Sequence, residues 1–218
     1  MFSRVELKEA AKAQLKGRWG DAAIATLLLG LVLIATALIA AFLPIFNIVS
    51  LLVGGPIYIG GILYCFALIK SPEKVETSVA FKGFNMFAKA VGMYLWNMLW
   101  VLLWCLLLYV PGIVKAISYS QCFYIIAENP NIQIRDALKI SMRMTKGYKW
   151  EIFVMYLSFI GWSLLCCLTL YIGFLWLYPY MQTSLCNMYF KLKELSLQSG
   201  ACTPADFGMQ VEEPSQVY

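Results

Sequence analysis

Residues 22–69 read AAIATLLLGLVLIATALIAAFLPIFNIVSLLVGGPIYIGGILYCFALI, a run without a single Asp, Glu, Lys or Arg. A membrane-spanning helix needs about 20 apolar residues, because each residue advances about 1.5 Å through a hydrocarbon core of about 30 Å. The run is therefore long enough to cross a bilayer twice. Pro44 lies near its middle and marks the expected turn between two helices.

The basic residues of the chain are confined to short segments outside such runs. Sixteen of the 17 Lys and Arg residues lie in residues 4–18, 70–89, 135–149 and 191–193, and Lys115 is the exception. Positive charge is retained on the cytoplasmic side during membrane insertion. The pattern predicts an all-α membrane protein with six transmembrane helices, arranged as three helical hairpins, in which both termini are cytoplasmic.

The predicted helices fall into two groups, spanning and interfacial. Residues 3–16 and 131–145, and a helix starting near Ser71, are predicted as amphipathic helices on the cytoplasmic face, and Ser3 and Glu6 match a capping box. Residues 1–193 form one polytopic domain, and the polar tail 194–218 is expected to be disordered. The predicted spans are 21–43, 48–69, 90–110, 113–127, 152–170 and 174–190, with outside turns at Pro44, Pro111-Gly112 and 171–173.

Composition excludes several classes of protein. With 61% hydrophobic and 13% charged residues, the chain does not fit a soluble domain, and six spans leave no room for one. No cleavable signal peptide is evident. The net charge of +5 favours the anionic inner leaflet over nucleic acid as a partner, because no nucleic-acid motif accompanies it. The chain has no His and no catalytic or metal-binding motif, so we expect no enzymatic activity, cofactor or metal.

A Lys-Gly dipeptide precedes each predicted hairpin and suggests an internal repeat. The repeat units are residues 3–69, 72–128 and 131–193. Gly permits a bend from the interface into the membrane, and Lys anchors at lipid phosphates. The predicted lipid-headgroup anchors are Lys16, Arg18, Lys82, Lys146 and Lys149.

Polar residues inside the predicted spans are the candidate site. Lys115 would bind an anionic group, or else extend to the outer interface from near the end of its span. The other polar residues would line a cavity shared by spans 2, 4 and 6, or else form interhelical hydrogen bonds that only aid packing. They are Ser118, Gln121, Gln182, Thr183 and Asn187.

Small and aromatic residues suggest packing surfaces. Trp96, Trp100 and Trp104 form one stripe on span 3, a groove for a lipid chain or partner helix, or a ridge facing lipid. Close packing and a kink or break in span 2 are predicted at Gly54, Gly55, Pro56, Gly60 and Gly61.

The motifs of this chain resemble those of the DUF975 family. The resemblance implies a bacterial polytopic protein of the plasma membrane whose role the family does not define. Tyr171 stands where members commonly have Gly, which bears on the geometry of the last turn. The matching motifs are PGIVKAISYS (111–120), ENP (128–130), ALKIS (137–141), KG (146–147), LSFIGW (157–162), LT (168–169), IG (172–173) and PY (179–180).

Two functions of different classes follow from these observations. The first is a non-enzymatic accessory or scaffold protein that binds anionic lipid and packs against partner membrane proteins or a second copy of itself. The alternative is a small transporter or channel for an anionic or lipid-like substrate, with a pathway among spans 2, 4 and 6.

Overall fold

The computed structural model describes residues 3–43, 46–71, 73–107, 109–169 and 171–209. Within these ranges the chain is helical and contains no β-strand. Two 3₁₀ helices, the central one at Thr77–Met86 and the C-terminal one at Pro204–Phe207, accompany the α-helices. The α-helices are α1 (Arg4–Leu15), α2 (Trp19–Phe42), α3 (Phe46–Lys70), α4 (Phe87–Leu107), α5 (Tyr109–Tyr119), α6 (Cys122–Glu128), α7 (Ile134–Met144), α8 (Lys149–Leu168) and α9 (Phe174–Gln198).

Four stretches of helix in the described residues are long and apolar enough to cross a membrane. They are Trp19–Phe42, Leu52–Lys70, Thr77–Trp104 and Lys149–Leu168, and they coincide with predicted spans 1, 2, 3 and 5. Only 17% of the apolar window of α2, and the same share of that of α8, is buried inside the protein. These two helices therefore present most of their apolar side chains outward, as helices in contact with lipid do.

Predicted spans 4 and 6 are not among the helices that are long and apolar enough to cross a membrane, so the six crossings stay a prediction. Span 4 is divided into α5 and α6, with a break at Ser120 and Gln121. The predicted turn at Pro111-Gly112 is wrong, since both residues lie inside α5. Proline is tolerated in the first turn of a helix, where its missing N–H would have no partner. Span 6 lies within α9, whose interior carries several polar residues.

Helix α3 packs closely against the central 3₁₀ helix at glycines. A Cβ atom on Gly60 would lie 1.9 Å from the Ala80 carbonyl oxygen, and one on Gly83 would lie 2.1 Å from that of Pro56. Gly55 makes a similar approach to the Ala90 carbonyl oxygen of α4. The helix continues through Pro56, so the predicted break does not occur there. The glycine-rich part of α3 thus lets two backbones touch.

Helix α1 packs mainly against α9 and reaches α8 through Lys8, and its predicted place on the inner membrane surface stays a prediction. Its small apolar face, Ala11 and Leu15, is fully buried. Along its length, Lys8 donates to the Ser158 hydroxyl of α8 at 2.7 Å, and Gln14 forms two hydrogen bonds with Asn187 of α9. Contacts made by polar as well as apolar side chains hold α1 in this place.

Parts of the four basic segments are hydrogen-bonded to neighbouring segments, and we call the region around these contacts the basic end. Their junctions are joined by hydrogen bonds from basic side chains to neighbouring loops. Arg18 also donates to the carbonyls of Gln14, Leu68 and Glu73, so its guanidinium ties the turn after α1 to the end of α3. The other contacts are Arg18 with the Ser71 carbonyl, Lys89 with the Pro130 carbonyl, Lys193 with Glu128, and Arg143 with Asp206.

The described part of the predicted disordered tail is folded, which corrects that expectation. Helix α9 continues to Gln198, and the C-terminal 3₁₀ helix packs Phe207 into the core, where only 4% of it is exposed. Arg143 holds Asp206 at 2.8 Å. Burial alone would raise the pKa of Asp206, but hydrogen bonds from Thr203 and Arg143 lower it below the ordinary value. The buried Phe207 and this ion pair hold the segment against the core, and neither contact could be inferred from the composition of the segment. Residues 210–218 lie outside the described ranges.

The three Lys-Gly dipeptides do not share one conformation. Gly17 and Gly147 end α1 and α7 with φ of +80° and +90°, values that Gly adopts without strain. Gly83 instead lies in the contact with α3 described above. The first and third repeat units therefore correspond at this point, and the second departs from them. In the last turn, Tyr171 has φ +67°, the conformation in which a family preference for Gly is physically expected.

Replacing Gly60 by Ala tests the α3 contact. The added methyl group would overlap a backbone carbonyl that cannot move freely, so we expect a loss of roughly 1–3 kcal/mol in the free energy of unfolding. Gly30→Ala in α2 is the matched control, because nothing lies within 4 Å of its Cβ position. Thermal unfolding of the two variants in detergent is the measurement, and equal stability would contradict the close packing.

Candidate functional site

Gln182 of α9 is the centre of a buried polar cluster. Its amide nitrogen donates to the Tyr178 hydroxyl at 3.1 Å, and the Tyr124 hydroxyl of α6 donates to its oxygen at 3.4 Å. Tyr58 of α3 lies within hydrogen-bonding range of Tyr124. Thr183, beside Gln182, donates to the Pro179 carbonyl and approaches Cys65 of α3 at 3.8 Å. Three helices, α3, α6 and α9, thus bring polar atoms together at Gln182 and Thr183.

The tyrosines of this cluster were missed by the sequence analysis. Tyr124 is fully buried, and Tyr58, Tyr156 and Tyr178 lie half-buried near it. A signal was present in the sequence, since each of these tyrosines interrupts an apolar helix. Buried tyrosine hydroxyls usually find a hydrogen-bond partner, and here the partners are one another, Gln182 and Ser120.

Gln121 lies at the break between α5 and α6 and is fully buried. Its nitrogen donates to the Ser120 hydroxyl at 2.8 Å, and Ser120 in turn lies in hydrogen-bonding range of Tyr156. Its side-chain oxygen has no hydrogen-bond partner among the described atoms. A buried acceptor without a partner is costly, so this oxygen is a place where a water molecule or ligand would be stabilised.

Lys115 and Ser118 are placed apart from the Gln182 cluster. The Lys115 ammonium lies 4.9 Å from the ring centre of Trp104 and 5.9 Å from that of Tyr119, in cation–π geometry. Ser118 is buried, and its carbonyl accepts from the Ser141 hydroxyl of α7 at 2.7 Å. Lys115, Ser118 and Gln121, which the sequence placed on one helix face, therefore each contact a different part of the protein.

The tryptophan stripe of α4 has cations at both ends. Trp96 and Trp100 meet edge to face at 6.1 Å between ring centres. The Arg135 guanidinium of α7 lies 5.8 Å from the Trp96 ring centre, and Lys115 lies by Trp104 as described. The stripe thus joins α4 to α5 and α7, while Trp100 remains exposed.

Asn187 also belongs to a different contact from Gln182. Its side-chain amide pairs with that of Gln14 through two hydrogen bonds, of 2.9 and 3.2 Å. Such a reciprocal amide pair satisfies one donor and one acceptor on each residue. Asn187 therefore joins α1 to α9, a role that no sequence pattern indicated.

A buried ion pair near the basic end was also missed. Lys193 of α9 lies 2.7 Å from Glu128 of α6, and the two side chains are only 11% and 17% exposed. Tyr189 donates to the second carboxylate oxygen, and the Phe207 ring lies 4.7 Å from the Lys193 ammonium. The sequence placed both charged residues at the inner ends of predicted spans, but it did not pair them.

The predicted lipid anchors differ in their exposure and in their contacts with other groups of the protein. Lys16, Lys82 and Lys146 are exposed, Lys149 is half-buried, and none of the four has an ion-pair partner among the described residues. Arg18 is engaged with main-chain carbonyls. Four predicted anchors therefore have no carboxylate partner in the part of the chain that the structure describes.

The described residues contain no group of three or more His, Cys, Asp or Glu that could hold a metal ion. Cys65, Cys122, Cys166, Cys167, Cys186 and Cys202 are free thiols. The Gln182 cluster holds hydroxyl, amide and thiol groups, which can bind a small polar molecule by hydrogen bonds. The cavity beside Gln182 measures only about 10 Å³, about the space that one water occupies.

Replacing Glu128 by Gln tests the buried ion pair. The change leaves the Lys193 ammonium without a counter-charge in a mostly dry site, so we expect the free energy of unfolding to fall by about 3–5 kcal/mol. The double variant Glu128→Leu/Lys193→Leu should regain much of that loss, because no charge is left unpaired. Glu194→Gln, which breaks the exposed Lys191–Glu194 pair, is the control and should change stability little. Equal effects of the two glutamine variants would contradict the assignment.

Comparison with known proteins identifies a family for this chain. The family described as "Protein of unknown function (DUF975)" matches residues 1–118 and, in a second match, residues 106–196. No curated protein and no solved structure matches the chain. The two matches together extend from the first residue to the last turns of α9, and they agree with the motifs identified in the sequence. The chain belongs to the DUF975 family.

Proposed function

We propose that this protein is a non-enzymatic accessory or scaffold protein of the plasma membrane. It crosses the membrane six times as three hairpins, with the basic end and both termini in the cytoplasm. The basic end binds anionic lipid of the inner leaflet, and the apolar helix faces pack against partner membrane proteins or a second copy. The apolar helices and the family membership support a membrane protein. The distribution of Lys and Arg supports the proposed orientation and the binding of anionic lipid.

The observation that carries the proposal is the set of unpaired cations at the basic end. Lys16, Lys82 and Lys146 come from three different segments of the chain, all exposed and all without an acidic partner among the described residues. Each lysine close to an anionic membrane surface contributes about 1 kcal/mol of attraction. Lipid phosphates are the natural counter-ions for such a surface.

The apolar faces of α2 and α8 support the packing role. Leu38 of α2 is 60% exposed and Trp162 of α8 is 58% exposed. Side chains of this kind need lipid or another protein around them. The short connections between helices leave no large domain in the described residues to bind partners outside the membrane, so the helix faces are the surface available for partners.

Removing three unpaired lysines tests lipid binding. With Lys16, Lys82 and Lys146 all changed to Gln, we expect affinity for phosphatidylglycerol to fall roughly 100-fold at low salt, since about 1 kcal/mol is lost per lysine. The measurement is a lipid titration of the full-length protein by native mass spectrometry.

The matched control neutralises Lys74, Lys139 and Lys191 instead. These lysines are exposed as well, but each already forms an ion pair with a protein carboxylate. The change in net charge is the same, so a smaller loss of affinity is expected. An equal loss, or no loss in either variant, would rule out a specific role for the three unpaired lysines.

A small transporter or channel is the second candidate, and one observation favours it. The break between α5 and α6 places the unpartnered Gln121 oxygen in the interior, and broken helices line binding sites in many transporters. The pathway would lie among α3, α5–α6 and α9, and Lys115 would select the anion. In a flux assay, Lys115→Met should then reduce anion flux. Unchanged flux and selectivity would remove Lys115 from that mechanism.

A further inference from the structure

A groove of about 530 Å³ lies between α1 and the hairpin of α8 and α9. Its walls come from α1, α8, α9 and Trp19 at the start of α2, and they are mostly apolar and aromatic, with charged side chains on the α1 wall. Its lining residues are Val5, Lys8, Glu9, Lys12, Trp19, Trp162, Cys166, Gly173, Trp176, Leu177 and Tyr180.

The charge of the groove is positive. Lys8 and Lys12 line it one helical turn apart, and Arg4, one turn earlier, adds its charge to theirs. Glu9 is the acidic residue of the lining, and neither lysine forms an ion pair with it or with another described carboxylate. The two lysines therefore outnumber the one carboxylate of the lining.

The contacts of Lys8 show how far along α8 its ammonium group lies. Its ammonium donates to the Ser158 hydroxyl at 2.7 Å and lies 4.3 Å from the ring centre of Phe159. Ser158 lies about 14 Å along α8 from Lys149, at about 1.5 Å per residue. If α8 crosses the membrane, this cation lies near the middle of the span, where an ionised side chain needs a counter-ion or water.

We propose that this groove binds one anionic phospholipid, with its phosphate at the ammonium groups of Lys8 and Lys12 and an acyl chain against Trp162 and Trp176. This inference rests on the proposed function and names the site of one lipid within it. Two features select the occupant. The unpaired lysines need a negative charge, and the apolar wall needs a hydrocarbon chain beside it, which free phosphate does not have.

The arrangement of the groove allows a lipid to enter from the membrane. Lys12 lies 5.8 Å from the Tyr180 ring centre and Lys8 lies 4.3 Å from that of Phe159, so the two cations lie one helical turn apart along the α1 wall. Trp162 and Trp176 are 58% and 49% exposed. Their exposed faces lie toward the lipid phase if α8 and α9 are in the membrane, and the headgroup would be drawn inward along α1.

The test uses the full-length protein in nanodiscs of phosphatidylcholine with a small fraction of phosphatidylglycerol. After the protein is released from the nanodiscs, native mass spectrometry counts the lipid molecules that remain bound to it. The wild type should keep one phosphatidylglycerol, and Lys8→Gln/Lys12→Gln should weaken its binding at least tenfold. Lys8→Arg/Lys12→Arg keeps the charge and should retain it. The control Lys74→Gln/Lys139→Gln, with the same change in net charge at two lysines that lie outside the groove and already pair with carboxylates, should keep the one tight lipid.

A second measurement locates the acyl chain. Brominated phosphatidylglycerol quenches nearby tryptophans, so the quenching of wild-type fluorescence should fall in Trp162→Phe and in Trp176→Phe, and fall less in Trp100→Phe of α4. Unchanged retention in the Lys8/Lys12 variant, or equal retention of phosphatidylcholine, would overturn the groove assignment.

Lipid binding at the basic end and lipid binding in the groove can be contradicted by different results. If phosphatidylglycerol binds but is lost only in the Lys16/Lys82/Lys146 variant, the groove is wrong and the basic end is the lipid site. If phosphatidylglycerol is not preferred by the wild type at all, both are wrong. Retention of an acidic protein or peptide in place of lipid would overturn the groove proposal and identify a protein partner for the same cations.

Discussion

The close contact between α3 and the central 3₁₀ helix is the constraint on which the rest of the structure depends. Gly60 and Gly83 let two backbones approach to a distance that any side chain would prevent. Because the central 3₁₀ helix leads directly into α4, this contact also places α4, where Gly55 meets the Ala90 carbonyl. Helix α3 in addition packs against α2, α6 and α9. A shift of α3 would therefore displace the walls of the Gln182 cluster.

The distribution of charge follows from the cost of taking charges out of water. Most cations lie at the basic end, and the deeper charged groups have compensating contacts. Glu128 and Lys193 neutralise each other, Lys115 faces aromatic rings, and Arg18 satisfies carbonyls at the end of α3 that the helix itself leaves free. Lys8 and Lys12 also face aromatic rings, and the lipid proposal rests on their lying together in one apolar groove.

Much of the helical layout could be predicted, and its failures have physical causes. Long apolar runs predict helices reliably, since a backbone in lipid must satisfy its own hydrogen bonds, and α2, α3, α4 and α8 lie where they were expected. Pro111 is compatible with a turn or with a first helical turn, and local sequence cannot choose between them. The fold of residues 194–209 depends on Arg143 and the core around Phe207, which are distant in sequence.

For the candidate site, the sequence determined which residues are polar within apolar helices, and the tertiary structure decided which of them meet. Gln182 and Thr183 were identified from composition alone, because a polar residue in an apolar run is visible without a fold. That Gln182 meets Tyr124 and Tyr178, while Asn187 meets Gln14 and Lys115 meets Trp104, depends on helix packing. Composition and charge thus predicted a helical protein with apolar helices long enough to cross a membrane, and the family match places the chain in the DUF975 family. The pairing of Glu128 with Lys193 and the placement of α1 beside α8 required the fold, because hydrogen bonds and ion pairs depend on distances between side chains far apart in the chain.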